Sequence, residues 1–236
     1  MRLTLPRIAF MVLTMAALSS TSLFANDNTL TAEEKTAGWE LLFDGKTLDG
    51  WKIYKGKQPE NGKNWKAEEG VLSLAKPGGG DLVTDKQFEN FELALDFKIS
   101  EGGNSGLMFH VVDTDGPSYY SGPEIQILDD ARNQREAQKS GYLYQMYKPA
   151  EGVAPFKADE WNSYVIHIDS KNGSWVKLNG VKLYDFEIGS DDWKKRLEST
   201  KFKAWKDFAA HKSGSICLQD HGDVVSFRNI KVRELK

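Results

Sequence analysis

Alternating apolar and polar residues predict β-strands along most of the chain. In a strand, neighbouring side chains point to opposite faces and residues two apart share one. The clearest case is a strand with one buried and one wet face, in which Phe91, Leu93, Leu95, Phe97 and Ile99 alternate with Glu92, Ala94, Asp96 and Lys98. A second strand places Ile125 and Ile127 in a core, and Glu124 and Gln126 side by side on the other face.

Turn signals between these runs predict how the strands connect. Asn172-Gly173 and Asn179-Gly180 are typical of tight hairpins. The one convincing helix is predicted over Asp191–Lys206, with Asp191 or Asp192 as its cap. About a dozen short strands and one minor helix favour an all-β fold, an antiparallel β-sandwich. We expect a single domain over residues 39–236, preceded by a polar lead-in with weak helical character at residues 26–38.

The N-terminus has the layout of a secretory signal peptide. Arg2 and Arg7 flank its start, Ile8–Leu18 is apolar, and small and polar residues lead to Ala25. The apolar run is shorter than the roughly 20 residues that span a bilayer. We therefore expect residues 1–25 to be removed near Ala25. The mature chain is then predicted to lack a membrane span and to be periplasmic or secreted.

Composition excludes several classes of function. The 236-residue chain has a formal charge of −3 and no long basic run, which argues against a nucleic-acid partner. Cys217 is the single cysteine, so it cannot form an internal disulfide and is interpreted as a small strand residue. No His-Glu-x-x-His motif, cysteine cluster or complete calcium loop occurs, so no metal site or cofactor is predicted. Asp-Gly turns nevertheless offer oxygen ligands to a divalent cation. The sequence favours no particular oligomeric state.

Three predicted strands each carry polar groups on one face. His110 lies opposite the apolar set Leu107, Phe109 and Val111, Glu124 and Gln126 share a face, and Gln219 and His221 are two residues apart. An ionised glutamate only accepts hydrogen bonds, whereas glutamine both donates and accepts. Together these side chains would suit a ligand rich in hydroxyl groups, provided that the strands lie in one curved sheet.

Each of these positions also has a structural interpretation. Glu124 and Gln126 equally suit an ordinary exposed strand face. His110 could be a histidine with satisfied hydrogen bonds at a sheet edge, and His221 lies in a predicted turn. Arg228 either pairs with a carboxylate or positions a ligand.

The pattern Glu124-x-Gln126-x-x-Asp129 resembles the Glu-x-Asp-x-x-Glu strand of β-glucanases with a sandwich fold. Retaining hydrolysis needs two carboxyl groups about 5–5.5 Å apart. Gln126 cannot transfer protons as an acid or base, and Asp129 is one methylene shorter than glutamate. This comparison therefore disfavours simple two-carboxylate hydrolysis.

A wider resemblance covers nearly the whole mature chain. The segments that carry it, in order, are Leu42–Trp51, Gly103–Gly106, Gly122–Asp130, Glu160–Asn162, Leu178–Gly180, Ile216–His221 and Phe227–Ile230. They resemble the bacterial secreted family of 3-keto-disaccharide hydrolase domains, also described as 3-keto-glucoside lyases and hydratases. Each motif alone is weak, but the ordered set is specific. The resemblance implies a concanavalin A-like sandwich (jelly roll) and a carbohydrate substrate.

The chemistry that this resemblance implies needs one base. A ketone at C3 acidifies the proton on C2, its removal gives an enolate, and the C1 substituent leaves by β-elimination; water can then add back. The candidate catalytic residues are Glu124, His110 and His221. The candidates for substrate binding are Gln126, Asp129, Gln219, Tyr142, Tyr144 and Arg228. A non-catalytic sugar-binding module and a conventional β-glucanase are the alternatives.

Overall fold

The computed structural model describes residues 27–131, 138–152 and 156–236. The predicted signal peptide, residues 1–25, lies outside this part of the chain. Within the described ranges, no helix is both long and apolar enough to cross a membrane.

The described residues form two antiparallel sheets that pack face to face. In chain order the strands are β1 (Trp39–Leu41), β2 (Trp51–Ile53), β3 (Trp65–Glu68), β4 (Val71–Leu74), β5 (Leu82–Thr84), β6 (Phe91–Ile99), β7 (Asn104–Val111), β8 (Glu124–Leu128), β9 (Asn162–Ile168), β10 (Ser174–Leu178), β11 (Val181–Phe186), β12 (Ser215–Leu218) and β13 (Val225–Glu234). The larger sheet has the order β11-β10-β9-β6-β13-β4-β3, with β1 paired to β13, and the smaller has the order β2-β5-β12-β7-β8. The predicted all-β sandwich is confirmed.

The core lies between the two sheets. Along β6 the five apolar residues are buried and the four residues between them are partly exposed, as the alternation predicts. Phe97 of this strand stacks on Tyr164 of β9, with ring centroids 4.7 Å apart. The Tyr164 hydroxyl then donates a hydrogen bond of 2.9 Å to the backbone carbonyl of Gln126 in β8. This contact anchors β8 to the core. It thereby also fixes the position of the opposite, outer face of β8.

The helical segments are shorter than predicted. Helix α1 (Ala32–Thr36) lies in the lead-in, and α2 (Asp191–Glu198) is followed by a separate 3-10 turn, Lys201–Ala204. The prediction of an aspartate cap for α2 is wrong, because the Ser190 side chain accepts the hydrogen bond from the Trp193 N–H.

A bulge in β7 changes which side chains share a face. Val111 pairs with Ser215 and Met108 pairs with Cys217, so three residues of β7 span the distance of two on β12. His110 lies in this bulge with a φ of 53°. The alternation is reset there, and Val111 packs with Met108 and Cys217 rather than with Leu107. The prediction that Val111 belongs to the Leu107 face is therefore wrong.

Candidate active site

The outer face of the smaller sheet carries a row of polar residues across three neighbouring strands. Gly106 of β7 pairs with Gln126 of β8, and the Gln219 N–H, just after β12, donates 2.9 Å to the Gly106 carbonyl. Glu124 pairs with Met108 in the adjacent row. The antiparallel register thus brings Glu124, Gln126 and Gln219 together from distant parts of the sequence.

These residues line a cavity of about 370 Å³. Of the candidates predicted from sequence, its wall contains Glu124, Gln126, Tyr144, Gln219 and His221. The wall also contains residues that the sequence did not single out, namely Asn104, Tyr119, Gln138, Lys201 and Phe202. The volume falls in the usual range for small-molecule sites, about 300–1,000 Å³.

Gly106 makes room for the Glu124 side chain. A methyl group at Gly106 would lie 2.8 Å from Cγ and Cδ of Glu124, and closer still to its Oε1. Real side chains do not approach so closely. Glycine at this position therefore lets the Glu124 carboxylate occupy the space next to the backbone of the neighbouring strand.

The Glu124 carboxyl group is poised for proton transfer near neutral pH. Its pKa is raised to about 8, chiefly because burial penalises the charged form and secondly because the Asp81 carboxylate repels it. The positive charge of Lys201 and a hydrogen bond from the Gln219 side chain act in the opposite direction. A carboxyl with a pKa in this range can both accept and return a proton at physiological pH.

Asp81 lies beside the cavity rather than in its wall. The Ser118 hydroxyl donates to its Oδ2, and the Asp220 N–H donates 2.9 Å to its Oδ1. Burial is the main cause that raises the pKa of Asp81. Both of its oxygens are engaged by protein donors, so its effect on the site is electrostatic.

Two amide oxygens in the cavity wall have no hydrogen-bond donor among the residues that the structure describes. The Gln126 Nε2 donates 2.8 Å to Asn104 Oδ1, and the Gln219 side chain hydrogen-bonds to Glu124. The Oε1 atoms of both glutamines are buried and unpartnered among the described residues. A buried acceptor without a donor costs about 1–3 kcal/mol. Hydroxyl groups of a bound ligand would satisfy both atoms.

The structure places four predicted candidates away from this cavity. The bulge places the His110 ring within the fold, 2.8 Å from the Glu89 carbonyl and edge-on to Phe91, where it lines a different cavity. Asp129 binds the loop after β6, since its Oδ2 accepts from the Gly102 N–H at 2.7 Å.

Tyr142 and Arg228 have other structural contacts. Tyr142 is buried, and its carbonyl accepts the Gln126 N–H at 2.9 Å. Its ring is not in the described wall of the cavity. Arg228 belongs to the larger sheet, where it pairs with Asp96 and Asp27 at 3.2 and 2.8 Å. The carboxylate-pairing interpretation of Arg228 is the one that the structure supports.

The cavity residues that sequence analysis missed had weak signals. Asn104 lies in the Gly-Asn-Ser-Gly motif and could have been found there. Lys201 lies where a continuous helix was predicted, so only the break at Ser199 and Thr200, with its new 3-10 turn, reveals its position. Among the described residues, no group of three or more His, Cys, Asp and Glu side chains is arranged to hold a metal ion.

The fold is a β-sandwich, and one of its outer faces carries a polar cavity lined by amides. These two features define a class of protein: β-sandwich domains with a site suited to carbohydrate. Within that class the chain belongs to the family of 3-keto-alpha-glucoside-1,2-lyase-like domains, whose model matches residues 38–233. The chain is 33% identical to a "3-keto-disaccharide hydrolase" of Bacteroides thetaiotaomicron over 84% of this chain and 79% of that protein.

Two solved structures from Parabacteroides distasonis are also similar, both of candidate glycosyl hydrolases. The first is 37% identical with a TM-score of 0.80, covering 89% of this chain and all of the other. The second is 31% identical with a TM-score of 0.65, covering 84% of this chain and 99% of the other.

Proposed function

We propose that this protein cleaves 3-keto-glycosides, with Glu124 as the base that removes the C2 proton. The observation that carries the proposal is the environment of Glu124: one carboxyl group with a pKa of about 8, beside two amides whose buried oxygens find no donor in the described part of the chain. The name of the Bacteroides relative supports a keto-sugar substrate.

The proposed reaction begins at the carbon next to the ketone. The Glu124 carboxylate takes the C2 proton, and the electron pair of that bond moves to the C3 oxygen as an enolate. The enolate then collapses, a C1–C2 double bond forms, and the C1–O bond breaks with its electrons on the leaving oxygen. Glu124 or His221 returns a proton to that oxygen. The products are a 2-hydroxy-3-keto-glucal and the free aglycone, and water added across the double bond gives net hydrolysis.

The cavity supplies the other groups that this chemistry needs. Lys201 carries a positive charge in the wall that also contains Glu124, so its ammonium group can stabilise negative charge on the enolate or the leaving oxygen. Gln126 and Gln219 accept hydrogen bonds from sugar hydroxyls through their Oε1 atoms. Tyr144 provides a ring face for the sugar.

A pKa near 8 makes Glu124 a stronger base than an ordinary carboxylate. About one molecule in ten has it ionised at pH 7. We therefore expect kcat/KM to rise with pH up to about 8, because the ionised form removes the proton.

The test compares an oxidised substrate with its parent. Purified protein is incubated with a 3-keto-glucoside and, separately, with the plain glucoside, and the enone absorbance and the free aglycone are measured. Product from the keto substrate alone supports the proposal. Cleavage of the plain glucoside would instead indicate a conventional glucanase, and binding without turnover a sugar-binding module.

Two variants assign the base. Glu124→Gln keeps the shape of the side chain but cannot accept the proton, so turnover should be lost. His110→Gln is the matched control, since that residue lies outside the cavity and its replacement should retain activity. Full activity in the Glu124 variant would exclude it as the base.

The proposal includes export. The N-terminal pattern supports removal of residues 1–25 and action of residues 39–236 as one unit in the periplasm or outside the cell. The mass of the mature protein from cell fractions measures both the cleavage point and the location.

A further inference from the structure

The backbone of Gln219 is held through both of its polar groups by strand β7. Its N–H donates 2.9 Å to the Gly106 carbonyl, and its carbonyl accepts a 2.9 Å hydrogen bond from the Ser105 hydroxyl. The residue is only 7% exposed, and it lines the cavity. The amide group of Gln219 is therefore fixed in position before a ligand binds.

The two ends of this amide group have different partners. An ionised carboxylate only accepts hydrogen bonds, so the Nε2 end faces Glu124, where its hydrogen bond acts to lower the pKa of the carboxyl group. The Oε1 end is buried and has no donor among the described residues. The two ends of an amide group are about 2.2 Å apart. The donor that Oε1 lacks must therefore be a group of the ligand that lies close to the Glu124 carboxylate.

A 3-keto-glycoside has one donor in this position. In the proposed reaction Glu124 takes the proton from C2, so C2 lies against its carboxylate. C3 carries the ketone oxygen and C1 carries the glycosidic oxygen, and neither oxygen has a hydrogen to donate. The C2 hydroxyl is therefore the only hydrogen-bond donor on C2 or on the ring carbons bonded to it.

We infer that Gln219 recognises the C2 hydroxyl of the substrate through Oε1 while its Nε2 holds the Glu124 carboxylate. This inference rests on the proposed function. One amide group then positions both the hydroxyl on C2 and the base that removes the hydrogen from the same carbon. The elimination itself does not need this hydroxyl, because a 2-deoxy-3-keto-glycoside also has acidic hydrogens on C2. Selection for a free hydroxyl at C2 is therefore a property of Gln219.

Gln126 provides a matched control in the same cavity. It also lines the wall, and its Oε1 is also buried without a donor in the described part of the chain. Its Nε2, however, donates 2.8 Å to Asn104 Oδ1 rather than to Glu124. The Gln126 oxygen is thus not tied to the base, and we expect it to accept a hydroxyl that is more distant from C2.

The test compares two 3-keto-glycosides with the same aglycone, one with a hydroxyl at C2 and one without. Their kcat/KM values are measured from aglycone release with the wild type, Gln219→Met and Gln126→Met. Methionine keeps the length of the side chain but has no amide group. The preference of the wild type for the 2-hydroxy substrate should exceed that of Gln219→Met about 30-fold, because the 2-deoxy substrate leaves a buried acceptor unpaired only in the wild type. Gln126→Met should keep the wild-type preference.

The comparison of preferences removes the other effects of the substitutions. The intrinsic reactivity of each substrate is the same with all three enzymes, and loss of the hydrogen bond to Glu124 affects both substrates equally. An unchanged preference in Gln219→Met would overturn the assignment. So would a preference that is lost in Gln126→Met and kept in Gln219→Met.

Binding to the wild type tests the inference without turnover. Methyl glucoside and methyl 2-deoxyglucoside lack the ketone, and calorimetry should show that the first binds about 30-fold more tightly. Equal dissociation constants would overturn the assignment even if Gln219→Met did not fold. If neither keto substrate reacted, while the wild type kept this binding preference and Gln219→Met lost it, the proposed reaction alone would be refuted and the role of Gln219 would stand.

Discussion

The raised pKa of Glu124 predicts that folding stability depends on pH in a specific way. In the folded chain the pKa is about 8, against a model value of 4.5 for a free glutamate. Because the folded pKa is the higher one, the fold favours the protonated form. The stability associated with protonation is complete below about pH 4.5 and is lost as pH rises towards 8.

The size of this effect follows from the two pKa values. A difference of about 3.5 pH units corresponds to about 5 kcal/mol over the full range, and to about 3 kcal/mol between roughly pH 5 and pH 7.5. Glu124→Gln mimics the protonated carboxyl group and cannot ionise. Relative to the wild type, the variant should therefore gain about 3 kcal/mol across that interval.

Urea denaturation followed by tryptophan fluorescence measures this difference at a series of pH values. Every other titrating group is common to both proteins, so the subtraction isolates Glu124. The refuting result is a pair of parallel stability curves, with the difference constant from pH 5 to pH 7.5. That result would mean that Glu124 titrates as an ordinary surface carboxyl group.

Three further substitutions test the site itself. Gly106→Ala should lower kcat/KM about 100-fold with the fold intact, because the new methyl group displaces the Glu124 carboxylate, and circular dichroism checks the fold. Asp81→Asn keeps the shape of the side chain but removes a repelling charge, so the rising limb of the kcat/KM–pH profile should move to lower pH; an unmoved limb would contradict this. Lys201→Met removes an attracting charge, so the limb should move to higher pH and kcat should fall about 100-fold, both measured in the same titration.

Strand alternation predicted much of the floor of the site. It placed Glu124 and Gln126 on one face, and the same reasoning put Gln219 and His221 with them, where the structure also has them. It failed for His110 because that residue, with its positive φ, is itself in the bulge, and the bulge also reverses the side of Val111, which follows it. A pattern of apolar and polar residues contains no sign of such a bulge.

The remaining site residues depend on long-range pairing. Asp81 reaches the site only because β5 pairs with β12, whose partner residues lie more than 130 positions later in the sequence. The position of Lys201 depends on where helix α2 ends. Neither can be placed from local sequence, since sheet order and the docking of a turn are decided by the whole core.

The arrangement of carboxyl groups bears on which sugar chemistry this fold can perform. A glycosidase of the two-carboxylate type needs a second acid facing the substrate at about 5–10 Å from the first. In the described wall of this cavity, Glu124 is the one carboxyl group. Asp81, which is close enough to raise its pKa, has both oxygens occupied by Ser118 and the Asp220 backbone. Asp81 therefore raises the pKa of Glu124 without being free to act as a second acid. A single carboxyl group with a raised pKa, surrounded by amide acceptors and one ammonium group, fits the proposed proton abstraction next to a ketone better than direct displacement at C1.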